Sequence, residues 1–165
     1  MVRLIYFMIV LVCLGLLACS KKPETNATTT TQPPLVNELP MLNVVDEKGA
    51  KNSIHDAEEN SIIIFFNPGC DHCQREATEI SENKNIFKEY ELYFVSVDSM
   101  ENILKFALEY KLTEERFHFC QATGPDVYYS VGALPSVPAI FIYRNRKLVK
   151  RFDGETKLEE LKKFL

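Results

Sequence analysis

Apolar residues along this chain fall into short continuous runs that alternate with stretches of helical period. Residues 61–66 are apolar after a leading Ser61 and rich in β-branched side chains, which is how a strand covered on both faces reads. Residues 92–97 and 139–143 repeat that pattern. A further strand is predicted over 41–45, followed by the turn Asp46-Glu47-Lys48-Gly49 and a short strand near Ser53-Ile54. A strand over 117–120 is also predicted. Asn145-Arg146 makes a tight turn, from which residues 147–152 return antiparallel. Helices are predicted over 70–83, with Ala77 and Ile80 facing inward, and over 100–112, with Ile103, Leu104, Ala107, Leu108 and Leu112 on one stripe. A short helix over 126–131 and an amphipathic closing helix over 156–165 complete the list. Strands alternating with helices predict an α/β fold: a central mixed β-sheet with helices on both faces.

The N-terminus follows another pattern. Residues 4–18 carry no charge and follow Arg3. That run is shorter than the roughly 20 residues needed to span a bilayer as a helix, and it reads as a signal peptide over 1–18. It ends in Leu16-Leu17-Ala18-Cys19, which resembles the bacterial lipobox. The resemblance implies that Cys19 is lipidated and becomes the first mature residue. Each buried methylene of an acyl chain contributes about 0.8 kcal/mol, so several chains hold a protein to a membrane. Residues 19–38 contain four consecutive Thr and three Pro, with few apolar side chains, and read as a flexible linker. The folded domain is predicted over 39–165.

Charge and cysteine usage narrow the function. The formal net charge is −4, with 19 Lys+Arg against 23 Asp+Glu, so no basic excess favours nucleic acid. Five cysteines are unevenly placed, unlike a small secreted disulfide scaffold. Cys13 leaves with the signal. Cys120 stands alone and reads as a small buried apolar residue.

Cys70 and Cys73 sit where a buried strand meets a helix. Two intervening residues let both sulfurs meet within one turn, inside disulfide geometry. Unpaired N–H groups and the positive dipole end of a helix favour a thiolate there. Cys70, at the cap, is the expected nucleophile, and Cys73, one turn in, the resolving thiol. A half zinc site would need two more Cys or His ligands, and no second pair at this spacing exists. A structural disulfide closing so small a loop would stabilise little.

The segment Phe65-Phe66-Asn67-Pro68-Gly69-Cys70-Asp71-His72-Cys73 resembles the active-site loop of the thioredoxin superfamily, and Ser136-Val137-Pro138-Ala139 resembles its cis-proline loop. The resemblance covers about residues 39–165 and looks closest to the membrane-tethered TlpA- and ResA-like branch. It implies a thiol-disulfide oxidoreductase outside the cytoplasm, acting on protein thiols and disulfides and supplied by a membrane electron donor. Its redox centre would be the Cys70–Cys73 disulfide, with no separate cofactor and no metal. It also implies a cis Val137–Pro138 bond that contacts substrate, and an acid at Glu76 that assists proton transfer to Cys73. His72 would stabilise a Cys70 thiolate and Asp71 would oppose it. One departure is plain: the family's usual Trp before the first Cys is Gly69 here, and the chain contains no Trp. Two other chemistries are compatible with the sequence. Copper delivery would join Cys70 and Cys73 to His118. Peroxide reduction would need an Arg, such as Arg75, beside the nucleophile. His118 and His55 otherwise read as surface or structural residues.

Overall fold

The computed structural model describes residues 37–123, 127, 130–132 and 136–165. The predicted signal peptide, Cys13, Cys19, nearly all of the linker and half of the helix expected over 126–131 lie outside the described residues.

Seven strands form one sheet: β1 (Asn43–Asp46), β2 (Lys51–Ser53), β3 (Ser61–Phe65), β4 (Glu91–Ser96), β5 (Phe117–Ala122), β6 (Ala139–Arg144) and β7 (Lys147–Asp153), in the order β2-β1-β5-β4-β3-β6-β7. β3, β4 and β5 run parallel at the centre, and the remaining pairings are antiparallel. The mixed sheet and the antiparallel closing hairpin follow the sequence pattern. All five residues of β3 are buried, because the strand is covered from both sides.

The period of two sends Ile62 and Ile64 into one core and Ile63 and Phe65 into the other. The three described α-helices share the first face: α1 (Asp71–Glu82), α2 (Met100–Glu109) and α3 (Leu158–Leu161). The second face is covered by Leu39, Leu42, the 3-10 turn Ile54–Asp56, Val127 and Val131. Phe94, on β4, is 1% exposed and stacks at 5.0 Å on Phe119, with Phe66 and Phe117 edge-on at 6.1 and 5.8 Å. Phe94→Ala should therefore cost about 3–5 kcal/mol, from lost transfer energy and an unfilled cavity. Urea unfolding at unchanged slope measures this; a loss under about 1 kcal/mol would contradict the packing.

Several boundaries differ from the sequence reading. α2 stops at Glu109 because Lys111 adopts a left-handed φ of 56°, which ends the helix and turns Leu112 into the core. On α2 the inward position is Phe106 rather than Leu108, which is 71% exposed. The closing helix is one α-turn, Leu158–Leu161, followed by a 3-10 turn, Lys162–Phe164. Asn37 and Glu38, expected in the linker, join the sheet edge. The Leu148 N–H donates to the Asn37 carbonyl at 2.8 Å, and Glu38 pairs with Lys147. An open strand edge offers unpaired backbone groups, and this segment takes some of them. The β6–β7 turn holds both Asn145 and Arg146 at positive φ, 51° and 63°. Arginine is an uncommon residue there. Its guanidinium donates to the carbonyls of Ala57 and His55, which offsets the backbone cost.

Candidate active site

β3 ends at Phe65, and Asn67-Pro68-Gly69 turns the chain into α1. Asn67 builds this turn. Its carbonyl accepts the Cys70 N–H at 3.0 Å, and its Oδ1 accepts the Gly69 N–H at 2.8 Å. A Cβ at position 69 would meet Asn67 Oδ1 at 3.3 Å, so the turn is tight at this position. Cys70 is the N-cap residue of α1, with extended φ and ψ, and its sulfur makes no capping bond. The thiol stays available for chemistry.

The two sulfurs lie in different surroundings. Cys70 is partly exposed and Cys73 is 2% exposed, and both are free thiols. Cys70 Sγ donates to the Val137 carbonyl at 3.8 Å. The Val137–Pro138 bond is cis. Cys73 Sγ accepts the Asn67 N–H at 3.5 Å. Burial pushes the Cys73 thiol up to about 12; the Asn67 N–H opposes this, and Cys70 and Glu76 reinforce it.

Glu76 follows Cys73 by three residues, and the helix places both inward. The carboxyl is 2% exposed. Its Oε2 accepts the Thr156 N–H at 2.8 Å, while its buried Oε1 has no partner among the described residues. Burial pushes Glu76 up to about 7; the Thr156 N–H opposes the rise, and the negative charges of Glu79 and Glu155 add to it. Cys73, Glu76 and Pro138 line a cavity of about 10 Å³, whose other walls are apolar. That is close to the smallest space that holds one water.

His72 and Asp71 occupy the helix start. Asp71 sits in the first turn, where a negative charge suits the dipole. The His72 ring faces away from the core, its side chain 63% exposed. Its Nδ1 lies 2.7 Å from both Glu155 Oε2 and Arg75 Nη2, so it either donates to the first or accepts from the second. Arg75 grips Glu155 with two bonds, Nε to Oε1 at 2.8 Å and Nη2 to Oε2 at 2.7 Å. The Arg75 and His72 contacts hold Glu155 well below the carboxylate range, at about 2. Beside Cys70 a groove of about 500 Å³ runs between His72, Val137, Ser136 and the Gly154-Glu155-Thr156 loop.

Residues 35–150 match the AhpC/TSA family. The chain belongs to the AhpC/TSA family. It is a thioredoxin-like oxidoreductase. No curated protein sequence matches it. Solved structures share the fold. A secreted Mycobacterium tuberculosis disulfide oxidoreductase homologous to E. coli DsbE is 16% identical at a TM-score of 0.62, over 74% of this chain and 92% of that one. The thioredoxin domain of a thiol-disulfide oxidoreductase from Bacteroides vulgatus is 22% identical at a TM-score of 0.62, over 78% and 94%. A peroxiredoxin-like protein from Aquifex aeolicus is 14% identical at a TM-score of 0.63, over 80% and 87%.

The structure gathers Cys70, Cys73, Glu76, Val137 and Pro138 at one end of the parallel strands. His118 lies toward the other end. It pairs in register with Tyr93, and its Nε2 bonds Glu91 at 2.7 Å. The copper set of Cys70, Cys73 and His118 is thus not assembled, and among the described residues no three His, Cys, Asp or Glu side chains converge as metal ligands. His55 is structural, with Nδ1 3.0 Å from the Leu39 carbonyl. Cys120 is buried in the core on the opposite face from Cys73, and burial pushes its thiol up to about 12. Sequence reading missed Asn67, Glu155 and Thr156. Only Asn67 carried a signal, as the residue opening the turn before Cys70.

Proposed function

We propose that this protein is an extracytoplasmic thiol-disulfide oxidoreductase that passes two electrons from the Cys70–Cys73 dithiol to protein disulfides. The observation that carries this reading is the contrast between an accessible Cys70 and a buried Cys73 beside a proton acceptor, Glu76. The Cys70 thiolate attacks one sulfur of a substrate disulfide. A Cys70–substrate disulfide forms and the second substrate sulfur leaves as a thiolate, which takes up a proton. Glu76 then removes the Cys73 proton, directly or through one water in the small cavity. The Cys73 thiolate attacks Cys70 Sγ, the Cys70–Cys73 disulfide forms, and the remaining substrate thiolate departs and is protonated. The cis Val137–Pro138 segment and the adjacent groove offer a surface for an extended substrate chain.

Burial disfavours a Cys73 thiolate, and this supports the reducing direction, because a stabilised thiolate is what makes a dithiol hold its electrons. The location rests on the Ala18-Cys19 junction, with lipid on Cys19 as membrane anchor and a membrane protein as electron donor. The secreted Mycobacterium tuberculosis structure of like fold agrees with that location.

Peroxide reduction is the second reading, supported by the fold shared with the Aquifex aeolicus protein. Against it, Arg75 is held by Glu155. The two readings part in one experiment. The reduced protein should reduce a disulfide-linked peptide at least roughly tenfold faster than hydrogen peroxide, and equilibrate with glutathione nearer about −270 mV than about −120 mV. The reverse rate order would favour peroxide chemistry, and a potential near the upper figure would reverse the electron flow.

A further inference from the structure

The loop after β7 touches the cis-proline segment, the dithiol helix and the buried acid. The Gly154 N–H donates to the Pro138 carbonyl at 2.8 Å, tying the loop to the cis-proline segment. Gly154 holds a φ of +96°, which a residue with a Cβ rarely adopts. The next residue, Glu155, is gripped at both oxygens by Arg75 on α1. The residue after that, Thr156, presents its N–H to Glu76 in the core, and its hydroxyl donates back to the Gly154 carbonyl at 3.0 Å. One tripeptide therefore links an exposed ion pair to the buried acid, across 80 residues of sequence.

We propose that Glu155 and Arg75 are positioning residues: their bidentate pair pins the loop to the dithiol helix, holds the Thr156 N–H on Glu76, and so sets how readily Glu76 takes the Cys73 proton. This proposal rests on the acid–base role given to Glu76 above. Thr156 is the one hydrogen-bond donor described at that carboxyl, and it bonds one oxygen only. A carboxylate gains more from an N–H than its protonated form does, so the bond favours ionisation. Few other groups compete. From α1 itself Cys73 and Glu79 face Glu76, from the loop Glu155 does, and Ile64, Phe66, Phe94 and Phe106 on the remaining sides are apolar. Removing Arg75 acts twice in one direction. The loop loses its bidentate anchor to α1, and the Glu155 charge near Glu76 keeps only His72 as a partner. Both favour the protonated acid. Removing Glu155 instead would combine opposed effects, which makes Arg75 the informative position.

Arg75→Met in the reduced full-length protein tests this, with the Glu76 carboxyl followed by 13C NMR titration. The expected midpoint moves up by about one unit, a tenfold rise in proton affinity. The pH profile of Cys73 attack on a Cys70 mixed disulfide should move with it. The Thr156 amide should exchange with solvent roughly tenfold faster, an outcome independent of any charge effect. Arg75→Lys keeps the charge but loses the fork, and should fall between. Lys163→Gln breaks a surface pair remote from the site and should change nothing. An unmoved Glu76 midpoint with an unmoved Thr156 amide in Arg75→Met would overturn the proposal. Glu76→Gln separates the two claims. If it leaves the pH profile of resolution intact, the acid–base role fails, and the clamp is still judged by the titration and exchange.

Discussion

Cys73→Ser should accumulate mixed disulfides with substrate, joined only through Cys70, while Cys70→Ser should form none. The asymmetry follows from where the sulfurs lie. Cys70 is partly exposed beside the groove, so it makes the first bond. Its release requires a second sulfur poised on the same turn, and Ser cannot attack a disulfide. With Cys73 alone the first step is blocked. Its thiol is buried and pushed up to about 12, so at pH 7 the thiolate is roughly one part in 10⁵, from the five-unit gap. Both variants should lose turnover by about 10³-fold or more, and the trapping pattern is what tells them apart. Non-reducing electrophoresis and mass spectrometry of the adducts read it out. Equal adduct formation by both variants would refute the assignment of roles.

Glu76→Gln should make the protein more stable at alkaline pH and slower in resolving mixed disulfides. The Glu76 carboxyl titrates near 7 in the folded protein against an ordinary 4.5, because burial disfavours its charge. A raised folded value means that folding favours the protonated acid. Below pH 4.5 the acid is protonated in both states, and its contribution to stability is fully present. Between 4.5 and 7 the unfolded chain releases the proton while the folded one keeps it, so stability falls. Above 7 both states are ionised and the folded protein carries the whole penalty, roughly 3 kcal/mol for a gap of about 2.5 units. Gln has no charge to bury. Its stability relative to the native protein should be level at low pH, rise across that window and then plateau. Denaturant midpoints measured from about pH 4 to about pH 9 give the curve, and a difference independent of pH would rule the burial argument out. The catalytic cost should be about 10²-fold in resolution above pH 7, where the native carboxylate is ready to accept the Cys73 proton. The same burial that destabilises the fold would thus suit the acid to the proton transfer proposed for it.

The elements that were legible beforehand are those whose signal is local. Ile62 to Phe65 read as a buried strand because consecutive apolar β-branched residues have few other uses. Ala77 and Ile80 read as the inward face of a helix because their spacing matches its turn. Leu108 and Phe106 show where that logic stops. Both fit a helical stripe, and the rings of Phe66, just past β3, and Phe94, on β4, select Phe106. Lys111 likewise has no propensity that announces a left-handed helix end.

At the site the same division holds. Cys70 and Cys73 at a strand–helix junction stood out by spacing, because a disulfide-forming pair needs that spacing, whereas Val137-Pro138 stood out only by resemblance to the thioredoxin cis-proline loop. Glu76 could be placed on the face of Cys73 by helical period, but period says nothing about depth. Its burial comes from Phe66, Phe94, Phe106 and Pro138 closing around it, and its single donor comes from Thr156. His72 was visible between the cysteines, yet its partners are Arg75, one turn along α1, and Glu155, which only the return of β7 brings within reach. The sequence by itself determined the main strands and helices, the cysteine pair and the turn that presents it, since each depends on neighbours within a few positions. The tertiary structure decided which sulfur is exposed, how far the acid is buried and what holds the loop against it, since those depend on packing between segments far apart in the chain.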